Sequence, residues 1–366
     1  MKGLYIHIPF CNKICNYCDF PKMVSSDSNK TKYIKRLKEE IIYRKKDLCD
    51  IDTVYIGGGT PNSLSIELLD ELLDFIKDYI KNSKEATIEL NPDLINIDQI
   101  NLFKKYGINR ISLGVESFND NHLKTLGRTH TKEIVYNKIK LLKENGFNNI
   151  NVDLIFGLPN ETLNDIKFNL DCIKELNINH LSYYSLILED KTIFAYLLEN
   201  KKIELLDDDL VADMYEFINE YMYEIGFNHY EISNYSKNGY ESKHNLLYWN
   251  EEEYVGVGLG ASGFINHYRY TNFKTLKAYF NNYTEDKIFI SKDEEKNEFF
   301  MLGLRMINGV NLGDYINKYN SNPFEDFNLN NLIEKGLLEL NDNQLRIPKD
   351  KLFIANLVFE EFIYEG

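Results

Sequence analysis

The chain has 366 residues, 43 % of them hydrophobic, which is enough for one large α/β domain and a smaller one. Its formal net charge is −15 with a pI of about 5.0, so a bulk nucleic-acid binder, which would be basic, is excluded as the leading class. Its five cysteines comprise a tight triplet and the isolated Cys49 and Cys172, and an odd count of this kind is not a disulfide framework. The N-terminus lacks the pattern of a signal peptide and no apolar run reaches the ~18 residues of a membrane span, so a cytoplasmic protein is expected.

In chain order, Leu4–Ile8 reads as a strand that Pro9 ends. Cys11, Cys15 and Cys18 follow directly, with three and then two residues between them. An iron–sulfur cube with every iron capped takes four thiolates, so three would leave one iron open to a substrate. The competing reading is a zinc knuckle with His7 as fourth ligand, though His7 inside the strand is poorly placed to close a tetrahedron. Lys30 to Lys46 has helical periodicity, and Asp52–Ile56 is a short strand running into Gly57-Gly58-Gly59-Thr60-Pro61. Those glycines lack the Lys-Ser/Thr of a phosphate loop but allow close approach of backbone to a ligand. Helix Leu64–Ile80, strand Glu85–Leu90, helix Ile97–Tyr106 stopped by Gly107 and strand Arg110–Val115 come next. Helices near 120–126 and 132–145, strand Asn149–Phe156, helix Leu163–Leu176 and strand His180–Leu186 complete six strand-then-helix units. Such alternation predicts a parallel sheet, open or closed, with ligands at the C-terminal strand ends. Glu89, Glu116 and Asp153 stand at such ends, and Arg128 could clamp a carboxylate.

Beyond Glu189 the pattern changes. Asn234 to Gly263 is rich in Gly, Asn and Tyr. Its Gly258-Leu259-Gly260-Ala261-Ser262-Gly263 lacks the βαβ context of a dinucleotide site and reads as a close-packed turn. His244-Asn245-Leu246-Leu247-Tyr248-Trp249 holds the sole tryptophan; a histidine flanked by aromatics could ligate a heme iron. The tail has helices and a hairpin around Asn341-Asp342-Asn343, a winged-helix-like pattern with few basic residues, so a packing or lid unit.

Three cysteines at this spacing, with Tyr17 before the third, resemble the radical S-adenosylmethionine (SAM) enzymes. The motifs together resemble their oxygen-independent coproporphyrinogen III oxidase-like family, and within it the HemW branch of heme chaperones. Phe20 stands where the oxidase has a further cysteine, the chain starts ten residues before Cys11, and His244 to Trp249 matches the HNxxYW motif tied to heme. The resemblance implies a partial (β/α)6 TIM-like barrel with a small C-terminal winged-helix-like domain. It also implies three regions: a barrel over 1–235, a connecting segment with the heme motif over 236–290, and a C-terminal unit over 291–366. Cys11, Cys15 and Cys18 would hold a [4Fe–4S] cluster. Tyr5, Tyr17, Gly58, Gly59, Thr60, Glu89, Glu116, Arg128 and Asp153 match positions that line the SAM site. His244, Asn245, Tyr248 and Trp249 would serve heme. Glu116 replaces the glutamine usual in relatives, and Ser262 a histidine. The implied function is heme binding and delivery to client hemoproteins, with membrane-bound clients and a homodimer both compatible with it and with no nucleic acid partner. The alternative is radical decarboxylation of coproporphyrinogen III. A solvent-accessible His244 should bind heme at pH 7 and release it toward pH 5 as the ring protonates.

Overall fold

A computed structural model describes residues 1–363; the last three positions of the expected C-terminal unit, 364–366, lie outside the described residues. The six predicted units are present. Strands β1 (Lys2–Ile8), β2 (Thr53–Gly58), β3 (Glu85–Leu90), β4 (Arg110–Glu116), β5 (Ile150–Phe156) and β6 (His180–Ser185) lie side by side in sequence order, all parallel. Helices between them cover the outer face. Each is set by local chemistry: Ser26 and Ser65 cap the first two, Thr162 and Asp165 form a capping box, and Gly107 ends its helix at φ 86. The strands are buried on both faces, as parallel sheets require. Leu4, Ile6, Val54, Ile56, Ile88, Ile111, Leu113, Val152 and Leu154 pack outward against the helices and are wholly buried.

The inward residues are polar. Ser112, Asn151, Asp153, Ser182 and His180 hydrogen-bond to one another across β4, β5 and β6. A barrel lined this way is built to hold a polar ligand rather than to be filled by side chains.

The segment 236–290 does not merely connect. It supplies helix Lys243–Trp249 and strands β9 (Glu253–Val257), β10 (Ser262–Ile265), β11 (Tyr268–Asn272) and β12 (Thr284–Phe289), after β7 (Asn228–Glu231) and β8 (Asn234–Ser236). Strand β9 pairs parallel with β1, and the sheet runs β12-β11-β10-β9-β1-β2-β3-β4-β5-β6-β8-β7. It is open at both ends, as a partial barrel is. This pairing joins residues about 250 apart in sequence, and local periodicity carries no trace of it.

In the C-terminal region, helices from Lys292 onward pack with a small antiparallel sheet of Val310–Asn311, Glu339–Asn341 and Gln344–Arg346, the hairpin falling where the sequence placed it. Among the described residues, no helix is long and apolar enough to cross a membrane.

Candidate functional site

The cysteine loop leaves β1 at Pro9 and returns at Met23, where two backbone hydrogen bonds close it: Cys11 N to Met23 O and Met23 N to Pro9 O. A third tie comes from inside the barrel. His7 is buried, and its Nε2 meets the Pro21 carbonyl at 2.8 Å while Nδ1 meets the Tyr5 hydroxyl at 2.9 Å. A carbonyl only accepts, so Nε2 carries the proton. With both ring nitrogens engaged, His7 is not a fourth ligand for zinc, and the knuckle reading falls away.

Cys11, Cys15 and Cys18 are free thiols on one wall of a cavity of about 460 Å³ at the C-terminal ends of the strands. The same cavity is lined by Tyr17, Gly58, Gly59, Thr60, Glu89, Glu116, Arg128 and Asp153. Eight of the nine residues expected around SAM therefore meet the three thiols in one place. Tyr5 does not line the cavity; it lies one layer deeper and supports His7. Tyr55 and Asn91 line it too, and sequence patterning missed both. Alternation along β2 puts Tyr55 on the same face as Gly57, a signal that was available.

The glycine turn is demanded by contact. A Cβ on Gly59 would stand 3.0 Å from the Cys11 sulfur and from two carbonyl oxygens, and one on Gly57 would stand 2.7 Å from the Glu89 carboxyl. Gly58 has φ 111, and its amide donates to Glu89 at 2.9 Å. Tyr55 donates to the other oxygen of Glu89 at 2.7 Å. Glu116 reaches the cavity because the β4–β5 register slips at this point and its own φ is 69.

Burial pushes the carboxyls of both Glu89 and Glu116 up to about 7, with neighbouring Asp153 adding to the effect in each. Burial raises Asp153 as well, opposed by hydrogen bonds from Asn151, Ser182 and Ser112. Among the described residues, Arg128 is the one guanidinium on the cavity wall. It lies 3.9 Å from Glu116, 3.3 Å from the Cys15 sulfur and 3.0 Å from Asn91 Oδ1, and it also donates to the Gly114 carbonyl. Its Nε is buried without a partner. Burial holds the Cys18 thiol up at about 11, so metal loading must displace a proton.

This donor set fits the two groups expected. Three thiols with one vacant iron suit a [4Fe–4S] cube. Carboxylates withdrawn from bulk water suit an ammonium and ribose hydroxyls, and the arginine suits a carboxylate.

His244 is placed otherwise than expected. It is 1 % exposed on the floor of the barrel, with Nδ1 2.7 Å from Thr53 Oγ1 and Nε2 2.8 Å from the Tyr248 hydroxyl. Burial pushes it down to about 3, so it is neutral at pH 5 as at pH 7. The expected loss of heme at pH 5 through this ring therefore has no basis in the structure. The helix it opens is anchored by Glu85, which accepts from the amides of Lys243 and His244 at 3.2 and 3.1 Å. The His244 ring packs 5.1 Å from that of Tyr55, whose hydroxyl holds Glu89. The motif thus underpins the strand-end cavity through one tyrosine, although the two regions are far apart in sequence. Trp249 faces away, over a separate cavity of about 660 Å³, with the Arg305 guanidinium 4.4 Å from its ring centre. Asn245 is partly exposed and Ser262 pairs with Thr271 at 3.1 Å.

Comparison with known proteins agrees with this geometry. Residues 5–173 match the radical SAM superfamily and 290–350 the HemN C-terminal domain. Heme chaperone HemW of Bacillus subtilis is 37 % identical over the whole of both chains. Heme chaperone HemW of Lactococcus lactis is 40 % identical, covering 99 % of this chain and 97 % of that one. The fold is similar to that of coproporphyrinogen III oxidase (HemN) from Escherichia coli, with a TM-score of 0.84 at 23 % identity, covering 99 % of this chain and 89 % of that one. The chain belongs to the HemW heme chaperone family of radical SAM proteins.

Proposed function

We propose that the protein binds heme and hands it to client hemoproteins, with a [4Fe–4S] cluster and SAM held in the strand-end cavity. The observation that carries the cofactor part is the convergence of three free thiols, Glu89, Glu116, Asp153 and Arg128 on one cavity. Cys11, Cys15 and Cys18 would each cap one iron. Gly58, Gly59 and Glu89 would take the ammonium of SAM, Arg128 its carboxylate, and Asp153 its ribose. When bound, the cluster would supply an open iron as a Lewis-acid site for SAM. The residues do the rest: His7 and Tyr5 fix the cysteine loop, Tyr55 and the Gly58 amide aim Glu89, and Arg128 lies between Cys15 and Glu116.

Membership of the heme chaperone family supports the heme part. Phe20 also favours it over the oxidase: it is 61 % exposed at the cavity mouth, in the place of the oxidase's additional cysteine. A barrel over 1–235 and a C-terminal unit over 291–366 remain the proposed division, with 236–290 contributing to the barrel's edge and floor.

The test is anaerobic reconstitution followed by parallel assays. Protein with cluster and SAM should bind heme and form no protoporphyrinogen from coproporphyrinogen III. Catalytic turnover without heme binding would overturn the reading in favour of the oxidase.

A further inference from the structure

Glu116 is the acid of the strand-end cavity that no part of SAM needs: Glu89 would take the ammonium, Asp153 the ribose and Arg128 the carboxylate. Yet Glu116 lines the cavity and is only 8 % exposed. Its backbone has φ 69, in the left-handed region that a residue with a Cβ adopts at a cost, and the β4–β5 register slips between Gly114 and Glu116. Backbone strain of this kind persists where the surroundings enforce it, and it clusters at ligand sites.

The group that Glu116 faces is Arg128. Glu116 Oε1 lies 3.9 Å from Arg128 Nη1. Both side chains fold over Gly114, where a Cβ would stand 3.1 Å from Glu116 Oε1 and 3.2 Å from Arg128 Nη2. Nη2 is engaged: it donates to Asn91 Oδ1 at 3.0 Å and to the Gly114 carbonyl. Nη1 donates to the Cys15 sulfur at 3.3 Å, so it is the nitrogen turned toward both the thiols and Glu116. A carboxylate arriving beside the thiols therefore meets Arg128 at the end that Glu116 already neutralises.

No second cation relieves this crowding. The other titratable groups acting on Glu116 are Tyr17 of the cysteine loop and Asp153 of β5. The two lysines of the lining, Lys13 and Lys22, belong to the cysteine loop, where Lys22 donates to the Cys18 carbonyl. Two carboxylates would thus share one guanidinium, and like charges withdrawn from bulk water repel.

Resting on the SAM-binding reading above, we propose that Glu116 is a specificity-determining residue: it pairs with Arg128 in the ligand-free chain and competes there with the carboxylate of the incoming ligand. The ligand is then gripped by its cationic sulfonium and ammonium, which three acids favour, more than by its carboxylate. The accepted class widens to adenosyl sulfonium compounds that carry an ammonium and no carboxylate, of which decarboxylated SAM is the simplest. No covalent bond forms or breaks; one ion pair is exchanged for another.

The test is anaerobic calorimetric titration of the full, cluster-loaded chain, without reductant, with SAM and with decarboxylated SAM. It is run at pH 8, above the value of about 7 to which burial pushes the Glu116 carboxyl, so that the group is ionised. Glu116→Gln keeps the shape and removes the charge. The ratio of SAM affinity to that of the decarboxylated compound should rise about tenfold in the variant, which is about 1.4 kcal/mol of coupling between the two carboxyl groups. Affinity for decarboxylated SAM itself should hold or fall, since an attraction to the sulfonium is lost. Glu116→Asp, which draws the charge back by one methylene, should raise the ratio by a smaller factor, and it carries the same test if the glutamine variant fails to load its cluster. An unchanged or lowered ratio would overturn the assignment. Absence of SAM binding in the unmodified chain would instead overturn the SAM site itself.

Discussion

The half-buried carboxyl of Glu89 offers a direct test of the cavity. In the unfolded chain it titrates near its ordinary 4.5, and in the folded, metal-free protein at about 7. Between those values the native state holds a proton that the unfolded state releases, so stability from this group is present below pH 4.5 and lost as pH rises through 7. Each unit of displacement is worth about 1.4 kcal/mol. The full displacement is about 3 kcal/mol, reduced wherever water enters the open side of the cavity. The histidines complicate the raw curve. His7, His130 and His244 are pushed down by burial to about 4, 4 and 3, and their slope has the opposite sign. Glu89→Gln keeps the shape and removes only the carboxyl titration. Urea unfolding of metal-free wild type and Glu89→Gln at steps from pH 4.5 to 7.5 isolates it. The wild type should lose about 2–3 kcal/mol relative to the variant across that range. Parallel curves would mean that Glu89 is solvated and that the cavity is not the buried acid site described here.

Replacing Cys11, Cys15 and Cys18 with Ala should abolish the iron–sulfur absorption and the EPR signal of the reduced, reconstituted protein, whereas stoichiometric zinc without reconstitutable iron in wild type would refute the cluster. Adding SAM should alter that EPR signal, and Asp153→Ala should weaken the change; a spectrum insensitive to saturating SAM would count against the site. Gly57→Ala puts a methyl 2.7 Å from the Glu89 carboxyl and should cost about 1–3 kcal/mol in urea unfolding while blunting the SAM response. His244→Phe strands the hydroxyls of Thr53 and Tyr248 and should cost about 2–4 kcal/mol, a loss that a solvent-facing ligand would not produce.

Local chemistry was legible along the chain. The spacing of the three cysteines, the glycine turn after a β-branched strand, and the acids at strand ends are all written in short stretches, because each depends on neighbours a few residues away. The helix stop at Gly107 and the hairpin at 341–343 were equally readable, since a left-handed cap and a tight turn need particular residues in place.

What the sequence by itself determined is therefore the class of site: three thiolates and a ring of polar strand ends on a parallel sheet. Tertiary structure alone decided where the last third of that sheet goes and which histidine faces water. Strand β9 docks beside β1, and that docking carries helix Lys243–Trp249 beneath the barrel, turning His244 from an expected surface ligand into a buried brace for Tyr55 and Glu89. The same rearrangement leaves His267 at an exposed tip with a buried carboxylate behind it. Burial and the engagement of a ring nitrogen depend on partners up to 191 residues away, as between Thr53 and His244, and no pattern within a window of sequence encodes them.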